Sequence, residues 1–256
     1  MGPKLVRRER VIQVRGVRTA GVLLALAMLG CRAPAKQAPS AAAAPQVSAT
    51  VITIQTTVEP EKKTFTHTIA IAGDRARSMG DTDQWRLFDL KANTVTFVDD
   101  ITKTYRTEAL QSLITQRQRV LAQPFLEGTP HATITETHET RAMQGTNATH
   151  WTIRVGAYTR DLWIGAPASV PPQLFAMMIA SDPPTSKLAP MMKSVDAALL
   201  ATRGFPLADH SELPYGNKKI VIDAQVVKIE TQNVPASTFN VPADFKAPAA
   251  SHPPAS

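Results

Sequence analysis

Side chains able to catalyse a reaction or hold a metal are scattered along this 256-residue chain, not grouped. The six histidines, His67, His131, His138, His150, His210 and His252, never fall at the i, i+2 or i, i+4 spacing that presents two imidazoles to one ion. His138 and His150 come nearest, facing each other across an expected hairpin with His131 at its start; strand histidines of this kind more often bond water. His67 lies on the apolar side of its strand, where a core partner is expected. Asp81, Thr82 and Asp83 have the D-x-D form of a metal-binding turn, but a polar turn after Gly80 accounts for them, with no nucleotide-binding domain around them. Arg75 and Arg77 alternate onto one strand face and could meet an anionic headgroup, although such residues are commonly solvated or paired with an aspartate. G-x-S-x-G, G-x-x-x-x-G-K-[ST], H-E-x-x-H and C-x-x-C are all missing. The expectation is a protein that is not an enzyme, with no catalytic residue, metal or cofactor.

Methionine gives a different signal. Four of the eight methionines, Met177, Met178, Met191 and Met192, fall within 16 residues. Met is flexible and polarizable, so such a cluster can line a surface for irregular apolar ligands, or simply fill gaps between two core helices. The candidate apolar ligand-lining residues are Leu174, Phe175, Met178, Met191, Met192 and Val195.

The one cysteine, Cys31, excludes a disulfide framework and any cysteine-based zinc site. It follows Gly21-Val-Leu-Leu-Ala-Leu-Ala-Met-Leu-Gly30, an uncharged run of ten residues that is too short to span a bilayer, which takes about 20. A basic stretch precedes it. Residues 1–20 hold Lys4, Arg7, Arg8, Arg10, Arg15 and Arg18 against Glu9 alone, so five of the seven net positive charges sit there and two remain for everything else. That distribution describes a signal peptide, not a nucleic-acid footprint, which needs basic residues clustered on a folded face. Met28, Leu29 and Gly30 before Cys31 resemble the bacterial lipobox, in which a small residue precedes a cysteine that is lipidated and becomes the mature N-terminus. The resemblance implies residues 1–30 as a signal peptide and membrane attachment through lipid on Cys31. With Arg32 next, the sorting rule of some two-membrane bacteria implies the outer membrane, facing the periplasm.

Residues 31–48 then form an Ala/Pro-rich tether with almost no large apolar side chain, unable to bury a core. Residues 49–248 are expected to be one folded, monomeric domain, and 249–256 a disordered tail.

The elements that must position these residues are mostly strands. Thr/Val/Ile-rich runs at 49–58 and 63–71 flank a short turn and read as a hairpin; Phe65, His67, Ile69 and Ile71 share the apolar face. Short runs at 74–79, 84–90, 94–98 and 102–106 continue the meander. The period then changes. Leu110, Leu113, Ile114, Val120 and Leu121 lie on one face of a helix spanning 108–121, with Thr107 as N-cap and Glu108 in its first turn. Strands return at 131–140 and 148–156, joined by a turn at 144–147, with Trp151, Ile153 and Val155 facing the core, and again at 158–164. Two helices follow at 171–180 and 187–203, the second ended by Gly204. Strands at 205–213 and 218–230 and a short piece near Phe239 complete the chain.

About eleven strands in a long meander, one helix midway and a two-helix insertion later make the order of elements similar to the lipoprotein-carrier (LolA/LolB-like) fold. Local phrases also resemble an uncharacterised bacterial envelope lipoprotein family thought to share it: Gly73-Asp-Arg-Ala-Arg77, Phe88-Asp-Leu-Lys-Ala-Asn-Thr-Val-Thr-Phe97, Lys103-Thr-Tyr105, Gly204-Phe-Pro-Leu207 and Val234-Pro-Ala-Ser-Thr-Phe-Asn-Val-Pro-Ala-Asp-Phe-Lys246. The resemblance implies an α+β fold: a long antiparallel meander forming a curved half-barrel sheet, with one helix and a two-helix insertion packed on its concave face. It further implies a non-enzymatic envelope lipoprotein that binds a lipid or acyl chain; the alternative is a structural or sensory module with an envelope protein partner.

Overall fold

In a computed structural model that describes residues 44–80, 82–121, 132–182, 195, 197, 199–200, 203–215 and 218–247, the chain forms one antiparallel sheet of eleven strands. The first six are β1 (Gln46–Glu59), β2 (Lys63–Ala72), β3 (Arg75–Met79), β4 (Gln84–Asp89), β5 (Thr94–Asp99) and β6 (Thr104–Ala109). Helix α1 (Leu110–Leu121) separates them from β7 (Thr133–Met143), β8 (Thr146–Val155) and β9 (Tyr158–Gly165). Helix α2 (Leu174–Ser181) precedes β10 (Phe205–Tyr215) and β11 (Lys218–Pro235), and a 3-10 turn at Ala236–Phe239 follows. The order across the sheet is β6-β5-β4-β3-β2-β1-β11-β10-β9-β8-β7, two meanders joined where the first strand pairs with the last, with β6 and β7 as the outermost strands.

Hairpin chemistry sets the register. Asp89 accepts the N–H groups of Lys91 and Ala92, and Asn93 takes a left-handed φ of 53°; ten residues later Asp99 accepts from Ile101 and Thr102, and Lys103 takes φ 52°. Two turns of the same construction therefore join β4, β5 and β6, each using a carboxylate to hold turn amides. As a result one row of side chains, Ile52, Ile69, Ser78, Arg86, Phe97 and Arg106, crosses β1 to β6 in register on one face. The neighbouring row on that face is Thr50, Ile71, Ala76, Phe88, Val95 and Glu108.

This face carries the core. Ile52, Ile69, Phe88 and Val95 cluster with Leu113 of α1, Leu174, Phe175 and Met177 of α2, and Ile153, Leu162, Leu207 and Val226 from the other meander. Each fully buried side chain of this size contributes about 1.5–3 kcal/mol. Burial here explains why the apolar alternation was visible in β2 and β8.

Several local expectations are corrected. Thr107 does not cap α1: Thr107 and Glu108 pair with Thr96 and Val95, because the β5 edge satisfies their backbone groups, and the helix begins at Leu110. Phe65 is 41% exposed, since β1 and β2 run on past the core. The turn between β7 and β8 is only Gln144 and Gly145, both at positive φ, while Thr146 pairs with Met143. Residues 195, 197, 199 and 200 are helical, but Gly204 is not in the left-handed region of a helix cap. A Cβ there would lie 2.6 Å from Ile164 Cγ2 and 3.0 Å from the Gly165 carbonyl, so Gly204 permits close approach to β9.

The chain after β11 crosses the opposite face of the first meander. Arg75 donates to the Phe239 carbonyl and Asn240, Arg77 to the Thr238 carbonyl, and Lys246 exchanges backbone bonds with Lys103 and Tyr105. Beneath this strap lie Trp85, Val98 and Phe239, all nearly fully buried.

Candidate functional site

Along the row from Ile52 to Arg106 the side chains change from apolar to charged, and where they do, the core opens into a cleft of about 860 Å³ between β2–β6 and the two helices. Its polar lining includes His67, Ser78, Arg86, Arg106, Gln116 and Arg117; its apolar lining includes Phe97, Leu113 and Val120.

Two hubs bring three arginines of different elements together. Asp182, just past the end of α2, accepts Arg86 Nη1 on its carboxylate at 2.5 Å and Arg117 Nη1 on its main-chain carbonyl. Arg86 also donates to Ser181 Oγ at 3.2 Å, so β4 and α1 both supply positive charge at the C-terminal end of α2, where the exposed carbonyls favour it. Phe97 is the second hub, flanked in register by Arg86, 5.8 Å from the ring centroid, and Arg106, 4.2 Å from it. Arg106 Nε pairs with Glu108 at 2.9 Å, and Gln116 of α1 donates to the same carboxylate. At the cleft's inner end His67 Nε2 and Ser78 Oγ are 2.8 Å apart, the core partner expected for that histidine. Asp99, on the rim, has its pKa lowered chiefly by the N–H of Thr102; its charge is engaged in the turn.

The residues singled out from sequence lie elsewhere. Leu174, Phe175 and Val195 are buried in the core cluster, and Met178 is half-buried against it; none of the four lines the cleft. Met191 and Met192 lie outside the described residues, as do Cys31, Asp81, His131 and His252. Arg75 and Arg77 hold the strap. His138 sits at φ 64° in a bulge of β7, while His150 stacks on Trp163 with centroids 4.8 Å apart and lies 3.3 Å from Asp161. Among the described residues no three His, Cys, Asp or Glu side chains are placed to hold a metal ion. Arg86, Phe97, Arg106 and Arg117 were missed, though the repeated ten-residue hairpin, Asp89 to Asn93 and Asp99 to Lys103, was the signal that aligns the first three.

The family model for DUF4412, a domain of unknown function, matches residues 50–245, from the fifth residue of β1 to the strap's last turn. The chain belongs to this family. The match therefore takes in both meanders, the cleft and the strap of this DUF4412 protein as one stretch. No curated protein matches it. Among solved structures it is similar to PNGF-II (13% identity, TM-score 0.41, 76% of this chain against 30% of that one). It is also similar to the LolA superfamily protein NE2245 from Nitrosomonas europaea (10% identity, TM-score 0.26, 77% against 91%). The chain spans less than a third of PNGF-II. Likenesses this distant carry no functional argument.

Proposed function

We propose that this protein is a lipid-anchored component of the bacterial envelope, non-enzymatic, whose sheet curves as a half-barrel around the helices and binds an amphipathic acyl ligand in the cleft beside α1. The observation that carries the reading is the cleft itself. At about 860 Å³ it is of ligand size, and it joins an apolar wall of Phe97, Leu113 and Val120 to a polar one. Curvature is supported by the single core cluster that takes residues from both meanders and both helices. Attachment through Cys31, and the outer membrane as address, rest on the lipobox resemblance and the charge pattern before it.

The test is photolysis of a diazirine fatty acid in membranes containing the full-length protein, followed by peptide mapping. The reading expects labels on peptides from 84–108 and 110–121. Labelling confined to 174–200 would move the ligand to the Met-rich block; none at all would favour a protein-interaction module, for which the exposed Phe65 and Ile222 at the sheet's far end are the supporting feature.

A further inference from the structure

We infer that the cleft selects ligands with an anionic head, a carboxylate or phosphate, held by Arg86 and Arg106 across Phe97. The inference rests on the acyl-binding reading above and adds the chemistry of the head group.

The argument starts from unused donors. A guanidinium offers five N–H groups in a rigid fork suited to carboxylate and phosphate oxygens. Arg106 engages Glu108 through Nε, and neither Nη has another partner among the described residues. Arg86 uses Nη1 alone, for Ser181 and Asp182, which leaves Nε and Nη2 in the same position. Both groups line the cleft, and Phe97 stands between them in the register of β4, β5 and β6. A phenyl ring between two cations is a site where an acyl chain gains apolar contact while its head meets charge from either side.

Three carboxylates, Asp99, Glu108 and Asp182, line the cleft beside its three arginines, so the case for an anionic head rests on the unused donors and not on net charge. Asp99 is taken up by the amides of Ile101 and Thr102 and by Gln84. Glu108 is shared between Arg106 and Gln116, and Asp182 pairs with Arg86 through one oxygen. Arg86 is fixed at the end of α2, its side chain only 28% exposed, whereas that of Arg106 is 54% exposed at the edge of the sheet. The first is a preset anchor; the second stays on Glu108 through Nε and over Phe97, and offers a ligand its two Nη groups.

The experiment compares a diazirine fatty acid with the diazirine alcohol of the same chain, each photolysed in membranes that contain the full-length protein or its Arg106→Gln variant. Arg106 is 54% exposed, so losing its Glu108 pair should lower the melting temperature only slightly, which melts of each variant check, and Arg106→Lys controls for charge. The inference expects labelling of cleft peptides by the acid to fall about tenfold in Arg106→Gln, the scale of one charge-assisted hydrogen bond, and to recover in part in Arg106→Lys, while labelling by the alcohol stays the same. Competition with laurate and with dodecyl phosphate separates the two heads: whichever displaces the probe more strongly names the source, and either result fits an anionic site. Equal labelling by acid and alcohol, or an equal fall for both in Arg106→Gln, overturns the inference and leaves acyl binding standing. No labelling of the cleft by either probe defeats both.

Discussion

Arg77 lies over the indole of Trp85, its Cζ 3.9 Å from the ring centroid, and reaches past it to the Thr238 carbonyl. The guanidinium is thus clamped between sheet and strap. Burial lowers its pKa, partly offset by Asp100, and its Nε is buried without a hydrogen-bond partner. Trp85 in turn donates Nε1–H to Asp100 at 2.9 Å, closing a small polar network under the strap. Phe239 is the strap's apolar anchor at 6% exposure. Phe239→Ala should destabilise the fold by about 3 kcal/mol, measured by denaturant melts. Melts that overlay the parent would mean that the strap contributes no stability.

On the core face of the second meander, Arg160 makes a bidentate pair with Asp209 at 3.0 and 2.6 Å. Burial alone would lower the Arg160 pKa, but Asp209 and Tyr158 reverse the direction and hold it raised. Asp209→Ala strands that charge at 16% side-chain exposure and should cost on the order of 3 kcal/mol. Arg160→Met combined with Asp209→Leu should recover most of the loss. A double variant as unstable as the single one would contradict this account of the pair.

His210 offers a pH readout on the surface. Asp223, 2.6 Å away, raises its pKa from 6.5, with Glu212 adding to the effect. Because the folded pKa is the higher one, the stabilisation is fully present below about pH 6.5 and is lost as pH rises through the folded value. Its side chain is 42% exposed, so the effect is small and screened by salt. NMR titration should find His210 titrating above 6.5 and moving down in Asp223→Asn; an unchanged midpoint would contradict the pairing.

Cys31→Ser should abolish membrane attachment and leave unprocessed precursor, since serine cannot form the thioether to lipid. Fractionation after feeding labelled palmitate checks this. Equal labelling of parent and variant would end the lipoprotein reading.

The meander was legible because strands of the first half alternate over a half-buried surface and each turn after the first, which is Pro60-Glu61-Lys62, carries Asp, Asn or Gly. Ile69 and Ile71, or Ile153 and Val155, announce one face at period two. Strand ends were less legible: whether Thr107 to Ala109 extend β6 or begin α1 depends on β5 lying alongside, a non-local fact. Trp151, expected on the core side, packs there but is half-buried, so its truncation should cost less than that of a fully buried indole. The cleft was illegible for a related reason. Arg86, Phe97 and Arg106 are unremarkable in sequence, and only the shared register of three strands sets them in one row. Val227 shows the same dependence; it is 47% exposed because the β1–β11 register shifts between Thr53 and Ile54.

Native mass spectrometry of the full-length protein released from membranes tests acyl binding most directly. The account predicts a second species heavier than the lipidated chain by the mass of one acyl lipid, depleted in Arg86→Gln/Arg106→Gln. A spectrum containing only the lipidated chain, under conditions that preserve a known lipid-binding control, would contradict it.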